Sequence, residues 1–190
     1  MTGQEQLSLK LIAGFLDYPG TTTFMERWEM RYSLAVEYCP ALVPVLDGWR
    51  QTGFSQLEEM YVASFDLVES GSLYLTAHEF GDSRERGNAL AQLGQMVTDA
   101  GYGVAFGELP DYLPLLIEFL AIGPGEAVGT LAPRIATVAG QILKTLEEHH
   151  PYRPLFALLR RVLGVAENPV DSGAKERPDL TELPYPIEYF

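Results

Sequence analysis

Apolar residues recur at spacings of three and four along nearly the whole chain, while strict alternation is scarce. Only a turn of 3.6 residues brings such positions onto one face, so the pattern predicts helices packed on helices. Leu7, Leu11, Ile12, Phe15 and Leu16 make a first stripe, Met25, Trp28, Tyr32, Ala35 and Val36 a second, and Leu42, Val45, Leu46 and Trp49 a third. Leu57, Met60, Tyr61, Phe65 and Val68 follow, then Ala89, Leu90, Leu93, Met96, Val97 and Ala100, then Leu113, Leu116, Ile117 and Leu120. The last two stripes are Leu131, Ile135, Val138, Ile142 and Leu146, and Leu155, Phe156, Leu159, Val162 and Leu163. The expected fold class is all-α, a single-domain helical bundle, because 190 residues bury a sizeable core without metals or disulfides.

Punctuation sets the expected helix ends. A Ser, Thr or Asp followed three residues later by Glu reads as a capping box, as in Thr2 with Glu5, Thr23 with Glu26, Ser55 with Glu58 and Asp82 with Glu85. Pro114 and Pro133 belong in first turns, with Asp111 and Thr130 as caps, and Gly53, Gly101 and Gly164 are natural stops. Residues 68–81 and 121–129 read as irregular; the second, with Gly123, Pro124, Gly125 and Gly129, is a candidate hinge. Such a hinge permits either a monomer or a helix-swapped homo-oligomer. Pro169, Pro178, Pro184 and Pro186 fall where periodic apolar positions fade, so the folded domain is expected over 1–164 and a Pro-rich extended tail over 165–190. Tyr185, Tyr189 and Phe190 at its end are candidates to dock on the body.

Charge narrows the partners. The formal net charge of -13 repels a phosphate backbone, which excludes nucleic acid as the expected partner and suits a basic peptide; solubility alone is the plainer explanation of the same charge. Between Gln51 and Pro133 twelve acidic residues face only Arg84 and Arg86, so this stretch carries -10 of the total. Cys39 is the single cysteine, which rules out an intramolecular disulfide and fits a reducing compartment. A basic leader with an apolar run and cleavage site is not expected at the N-terminus, and no run of 18 apolar residues occurs, so a cytoplasmic protein that is not integral to a membrane is anticipated.

Catalytic signatures are thin. His78, Glu79 and Asp82 are close enough in sequence to raise a helical metal-dependent hydrolase as the rival reading, but no second histidine follows four residues after His78. His149 and His150 are adjacent and diverge on a helix, Cys39 precedes Pro40 with no histidine nearby, and no nucleophile elbow or phosphate-binding loop occurs. No catalytic residue, resident metal or tightly bound cofactor is therefore assigned.

Three clusters remain as candidates for binding a polypeptide. Tyr61 and Phe65, with Asp66, lie one turn apart on an apolar stripe; core packing explains Phe65, whereas the polar tip of Tyr61 suits a groove rim. Arg84 and Arg86 stand in a helix first turn, where the dipole disfavours cations, and so call for acidic partners such as Asp66, Asp111 or a ligand. Glu108, Pro110, Asp111 and Tyr112 form a rigid turn into an apolar helix; capping accounts for Asp111, and the turn is a suitable recognition loop.

Together, YVASFD at 61–66, SLYLTAHEFGDSRERG at 72–87 and ELPDYLPLLIEFLA at 108–121 resemble the NarJ-type chaperones of respiratory nitrate reductase, within the broader TorD/DmsD class. The resemblance runs from about Leu9 to Gly164. It implies a system-specific assembly chaperone that binds the N-terminal segment of a molybdoenzyme catalytic subunit and supports molybdenum cofactor insertion, with at most transient contact with that cofactor. DmsD-like members carry an aromatic motif and a Glu-Pro-x-Asp-His segment at the peptide site; the matching positions here are Tyr61 with Phe65, and Glu108, Pro110 and Asp111. Leu109 intervenes between Glu108 and Pro110, and Tyr112 stands where the histidine would be. The resulting client-binding set is Tyr61, Phe65, Asp66, His78, Arg84, Arg86, Glu108, Pro110, Asp111 and Tyr112, with the client's apolar face expected between the helices bearing Tyr61 and Leu116.

Overall fold

The computed structural model describes residues 1–104, 107–164 and 187–189, the last three as backbone. Its first helix, α1 (Gly3–Leu16), opens on the expected capping box: Glu5 N–H donates to the Thr2 side chain at 3.3 Å, and Thr2 N–H donates to the Glu5 carboxylate at 2.6 Å. Every residue from Leu7 to Leu16 is buried, so α1 is the central rod of the bundle. It packs along α7 (Leu113–Ile122), buried in turn from Leu113 to Ala121. Two helices without a solvent face still carry one ion pair between them, Lys10 to Glu118 at 3.9 Å with both side chains fully buried. Burying two charges together is tolerable only in this paired state.

The other helices wrap this pair. α2 (Thr22–Tyr38) lies on α1 through Phe24, Trp28, Arg31 and Ala35, while Met25 and Val36 of the expected stripe are 43% and 51% exposed. The buried face therefore includes a cation: Arg31 donates to the Gly14 carbonyl at 2.7 Å, and a Cβ on Gly14 would stand 2.7 Å from its guanidinium. Trp28 stacks on Trp49 of α3 (Val43–Thr52) at 6.2 Å, with Phe15 edge-on to both. At Gly53, whose φ of 86° favours glycine, the chain turns into α4 (Phe54–Tyr61).

Beyond α4 the backbone winds through a π-helical turn, Val62–Asp66, and a 3-10 turn, Glu69–Gly71, into α5 (Leu75–Phe80) and α6 (Glu85–Asp99). After β1 (Tyr102–Val104) and α7, α8 (Gly125–Thr145) and α9 (Arg153–Val162) close the bundle against each other and α1. β2 (Ile187–Tyr189) pairs antiparallel with β1, Tyr102 opposite Tyr189 and Val104 opposite Ile187. The fold is all-α, with this short ribbon as its only sheet among the described residues. The remainder of the expected tail, including Tyr185 and Phe190, lies outside the described residues.

Several expected boundaries move, each for a physical reason. Thr21, not Thr23, caps α2, accepting from Phe24 N–H at 3.0 Å. Ser55 and Asp82 cap nothing, because α4 starts directly from the turn at Gly53 and α6 from Arg84. Pro114 sits in the first turn of α7 as expected, but the cap position is Tyr112, and Asp111 is engaged elsewhere. Pro133 lies inside α8: it and Gly129, whose carbonyl its ring disturbs, are both exposed, so the interrupted turn faces solvent and not the core. α8 consequently begins at Gly125, and the expected hinge reduces to Gly123 and Pro124 between two helices. Residues 68–81, expected irregular, contain α5. Gly53, Gly101 and Gly164 do end helices, each at positive φ.

Candidate functional site

The segment between α4 and α6 shapes one side of the molecule. Its π turn is held from below by the 3-10 turn: a Cβ on Gly71 would lie 1.9 Å from the Ser64 carbonyl oxygen, so only glycine lets the two backbones meet. It is held from the side by His150, whose Nε2 is 2.9 Å from Ser64 Oγ. Tyr152 N–H donates to His150 Nδ1 at 3.3 Å, which puts the ring proton on Nε2 and makes the histidine the donor to Ser64. Burial keeps this histidine below its ordinary pKa, against the opposing pull of Glu147.

Alongside this turn opens a cleft of about 400 Å³, lined by Phe65, Val68, Tyr74 and Ala77, with Asp66, Glu69 and Asp82 among its acidic residues and Arg86 as its cation. Partial desolvation raises the Asp66 carboxyl above the ordinary carboxylate range. A carboxylate in that state gains from a cationic neighbour. The far wall is pinned by Asp111, which is fully buried. Its Oδ2 accepts from Thr76 N–H at 3.1 Å and from the Thr76 hydroxyl, and Thr76 Oγ1 in turn accepts from Arg86 Nε at 3.2 Å. Arg86 lies 4.0 Å from the same carboxylate oxygen, so it meets one of the acidic partners expected for it.

Backbone pairing joins the same two segments. Tyr74 and Tyr112 form an isolated antiparallel bridge, with Leu75 N–H donating to the Asp111 carbonyl at 2.9 Å and Leu113 N–H to the Leu73 carbonyl at 2.8 Å. Glu108 accepts from the Tyr74 hydroxyl at 3.2 Å and from its neighbour Leu109 N–H at 2.8 Å. Burial and the nearby Glu108 carboxylate push the Tyr74 hydroxyl up to about 12. Tyr112 is buried, and its hydroxyl is 3.0 Å from that of Tyr61, which also donates to the Leu16 carbonyl at 3.3 Å. Burial raises both tyrosines well above their ordinary pKa.

The sequence-selected residues thus fall into two layers. Phe65, Asp66 and Arg86 line the cleft. Tyr61, Asp111 and Tyr112 lie in the body behind it, and Glu108 buttresses Tyr74. Tyr61 is 3% exposed and forms no groove rim, because its hydroxyl spans α1 and Tyr112 instead of reaching solvent. Leu116 is fully buried against the core, so the expected groove between its helix and that of Tyr61 is filled, and the open surface lies on the other side of the π turn. Pro110 packs near Gly94 of α6, while Arg84 is exposed at the start of that helix.

The ligand set of the hydrolase alternative is dispersed. His78 Nε2 meets the Ser72 carbonyl at 2.7 Å, Glu79 forms a two-pronged pair with Arg134 at 2.7 Å, and Asp82 stands at the cleft. No three His, Cys, Asp or Glu side chains group as metal ligands among the described residues. Residues that sequence reasoning missed are Val68 and Glu69 as cleft lining, Thr76 as the link from Asp111 to Arg86, and His150 as the brace of the π turn. The exposed acid and apolar residues following Phe65 were the available signal for the first two.

No protein-family model matches the chain. Over 113 residues it is 33% identical to the probable nitrate reductase molybdenum cofactor assembly chaperone NarJ of Bacillus subtilis, covering 59% of this chain and 60% of that protein. Over 170 residues it is 28% identical to the nitrate reductase molybdenum cofactor assembly chaperone NarJ of Escherichia coli K12, covering 84% of this chain and 71% of that protein. A probable chaperone of the same description, NarW of Escherichia coli K12, is 28% identical over 82% of this chain and 68% of its own length. The Escherichia coli matches run over most of this chain, and together with the helical fold they make it similar to the NarJ-type assembly chaperones.

Proposed function

We propose that this chain is an assembly chaperone of a respiratory molybdoenzyme, nitrate reductase or a close relative, which holds the N-terminal segment of the catalytic subunit while the molybdenum cofactor is inserted. Residues 1–164 form the chaperone domain and 165–190 its tail, and the protein works in the cytoplasm without a catalytic step of its own. Among the described residues no helix is long and apolar enough to cross a membrane. The observation that carries the reading is the acid-edged cleft beside the π turn, with Asp66, Glu69 and Asp82 around apolar Phe65 and Val68. A basic, amphipathic segment matches it: apolar side chains displace water from Val68, 42% exposed, while Lys or Arg meets the carboxylates.

Within the sequence-selected set, Asp66 and Arg86 touch the segment, the buried Phe65 forms the floor beneath it, Arg84 stands at the margin, and Tyr61, His78, Glu108, Pro110, Asp111 and Tyr112 hold the walls in place. Pre-forming the walls lowers the ordering cost of binding, which is what the buried Asp111 and Thr76 contacts provide. The test is fluorescence anisotropy with a labelled peptide covering the N-terminal segment of the nitrate reductase catalytic subunit from the same organism. Charge reversal of the edge (D66K with E69K) is expected to weaken binding about tenfold and to reduce its salt dependence. Equal affinities for both proteins would refute the placement.

A further inference from the structure

A second groove lies on the opposite flank of the same π turn. It has a volume of about 460 Å³ and is formed by Tyr18, Glu58, Glu59, Val62, Ala63 and Leu67, with Ser55 beside them. None of these residues belongs to the set selected from the sequence. Leu67 is 75% exposed, the most exposed of the large apolar side chains among the described residues, and Val68 beside it is 42% exposed and lines the first cleft. The two leucine and valine side chains therefore make an apolar ridge between two hollows, each edged by acids. Neither Glu58 nor Glu59 enters a salt bridge among the described residues, whereas Glu29, Glu79 and Glu118 each do.

We propose that this groove is a second docking site for the same client segment, which straddles the ridge: one apolar side chain packs on Val62, Ala63 and Leu67, and a Lys or Arg beside it meets Glu58 or Glu59. The inference rests on the chaperone reading above and deepens it by specifying the ligand. Glu59 lies in α4 and Asp66 closes the π turn, so the two acids edge the hollows on either side of the ridge made by Leu67 and Val68. A client matches both hollows when it carries one basic residue for each, with apolar residues between them that pack on the ridge. Single-site charge attraction does not ask for this order of basic and apolar residues, so the groove makes the chaperone read a pattern and not merely a net charge.

The experiment uses the full chain and the same catalytic-subunit peptide, with three altered proteins: E58K with E59K in the groove, Leu67→Ser on the ridge, and D66K with E69K in the cleft. All the substituted side chains lie on the surface except Glu58, which is half-buried, and thermal melts confirm folding. Groove and ridge proteins are each expected to bind about three- to tenfold more weakly than the parent, with a shallower salt dependence for E58K/E59K alone. If D66K/E69K weakens binding while E58K/E59K and Leu67→Ser stay within twofold of the parent, the second site is overturned and the chaperone reading stands. If the parent does not bind the peptide, both fall.

Discussion

Replacing Asp111 by alanine tests whether the cleft wall is built as described. The buried carboxylate accepts two hydrogen bonds from Thr76, one from its N–H at 3.1 Å and one from its hydroxyl, and faces Arg86 at 4.0 Å. Hydrogen bonds to a charged group contribute roughly 1.5–3 kcal/mol each, and an orphaned buried N–H carries a comparable penalty. The arginine side chain is 27% exposed, so its attraction adds less than about 1 kcal/mol. The expected loss is about 4 kcal/mol, or roughly 8–16 °C in melting temperature for a chain of this size. Asp111→Asn, which keeps an acceptor for Thr76 N–H, should lose about half as much. Circular dichroism melts with urea titration measure both. A loss below about 1 kcal/mol for Asp111→Ala would mean that Thr76 finds another partner and that the wall is not held from Asp111.

Tyr61→Phe removes the hydroxyl shared with Tyr112 and Leu16; stability should fall by about 1–2 kcal/mol in urea titration, while peptide affinity below the transition stays within about twofold. Gly71→Ala forces a Cβ against the Ser64 carbonyl, so the π turn must shift; roughly 1–3 kcal/mol of stability should be lost together with peptide affinity, and retained affinity would show that the turn does not shape the cleft. His150 is held neutral by burial, its folded pKa lying below the ordinary 6.5. The unfolded chain therefore takes up a proton first on acidification, so this contribution is full above about 6.5 and is lost as pH falls through the folded value. Urea titrations at about pH 7.5 and 5 should show a smaller decline for His150→Gln than for the parent, and equal declines would refute the brace.

Much of the bundle was legible because its signal is local. The stripe from Leu131 to Leu146 and that from Leu7 to Leu16 are buried as read, since a helix that packs on a core must repeat apolar residues at its own period. On α2 the expected Trp28 and Ala35 are buried, but counting apolar residues alone skips Arg31, which is 2% exposed and with Phe24 takes the place of Met25 and Val36 on the buried face. Helix starts failed where two or three candidates stood together, as with Thr21 and Thr23, because the winning cap depends on where the preceding turn delivers the chain. Asp111 shows the deeper limit. Its partner Thr76 is 35 residues away and reaches it through the bridge between Tyr74 and Tyr112, and no local pattern encodes that meeting. Tyr61 and Tyr112 stand in separate clusters of the sequence, and their polar tips pair with each other inside the protein instead of facing a groove.

The most direct test of the chaperone account places a photo-crosslinking amino acid at Val68, 42% exposed at the cleft, in the full chain expressed in its native host. Irradiation should yield one dominant adduct, which peptide mapping assigns to the N-terminal segment of a molybdoenzyme catalytic subunit and which increases when cofactor synthesis is blocked. Adducts confined to other regions of that subunit, or no adduct with it at all, would contradict the account.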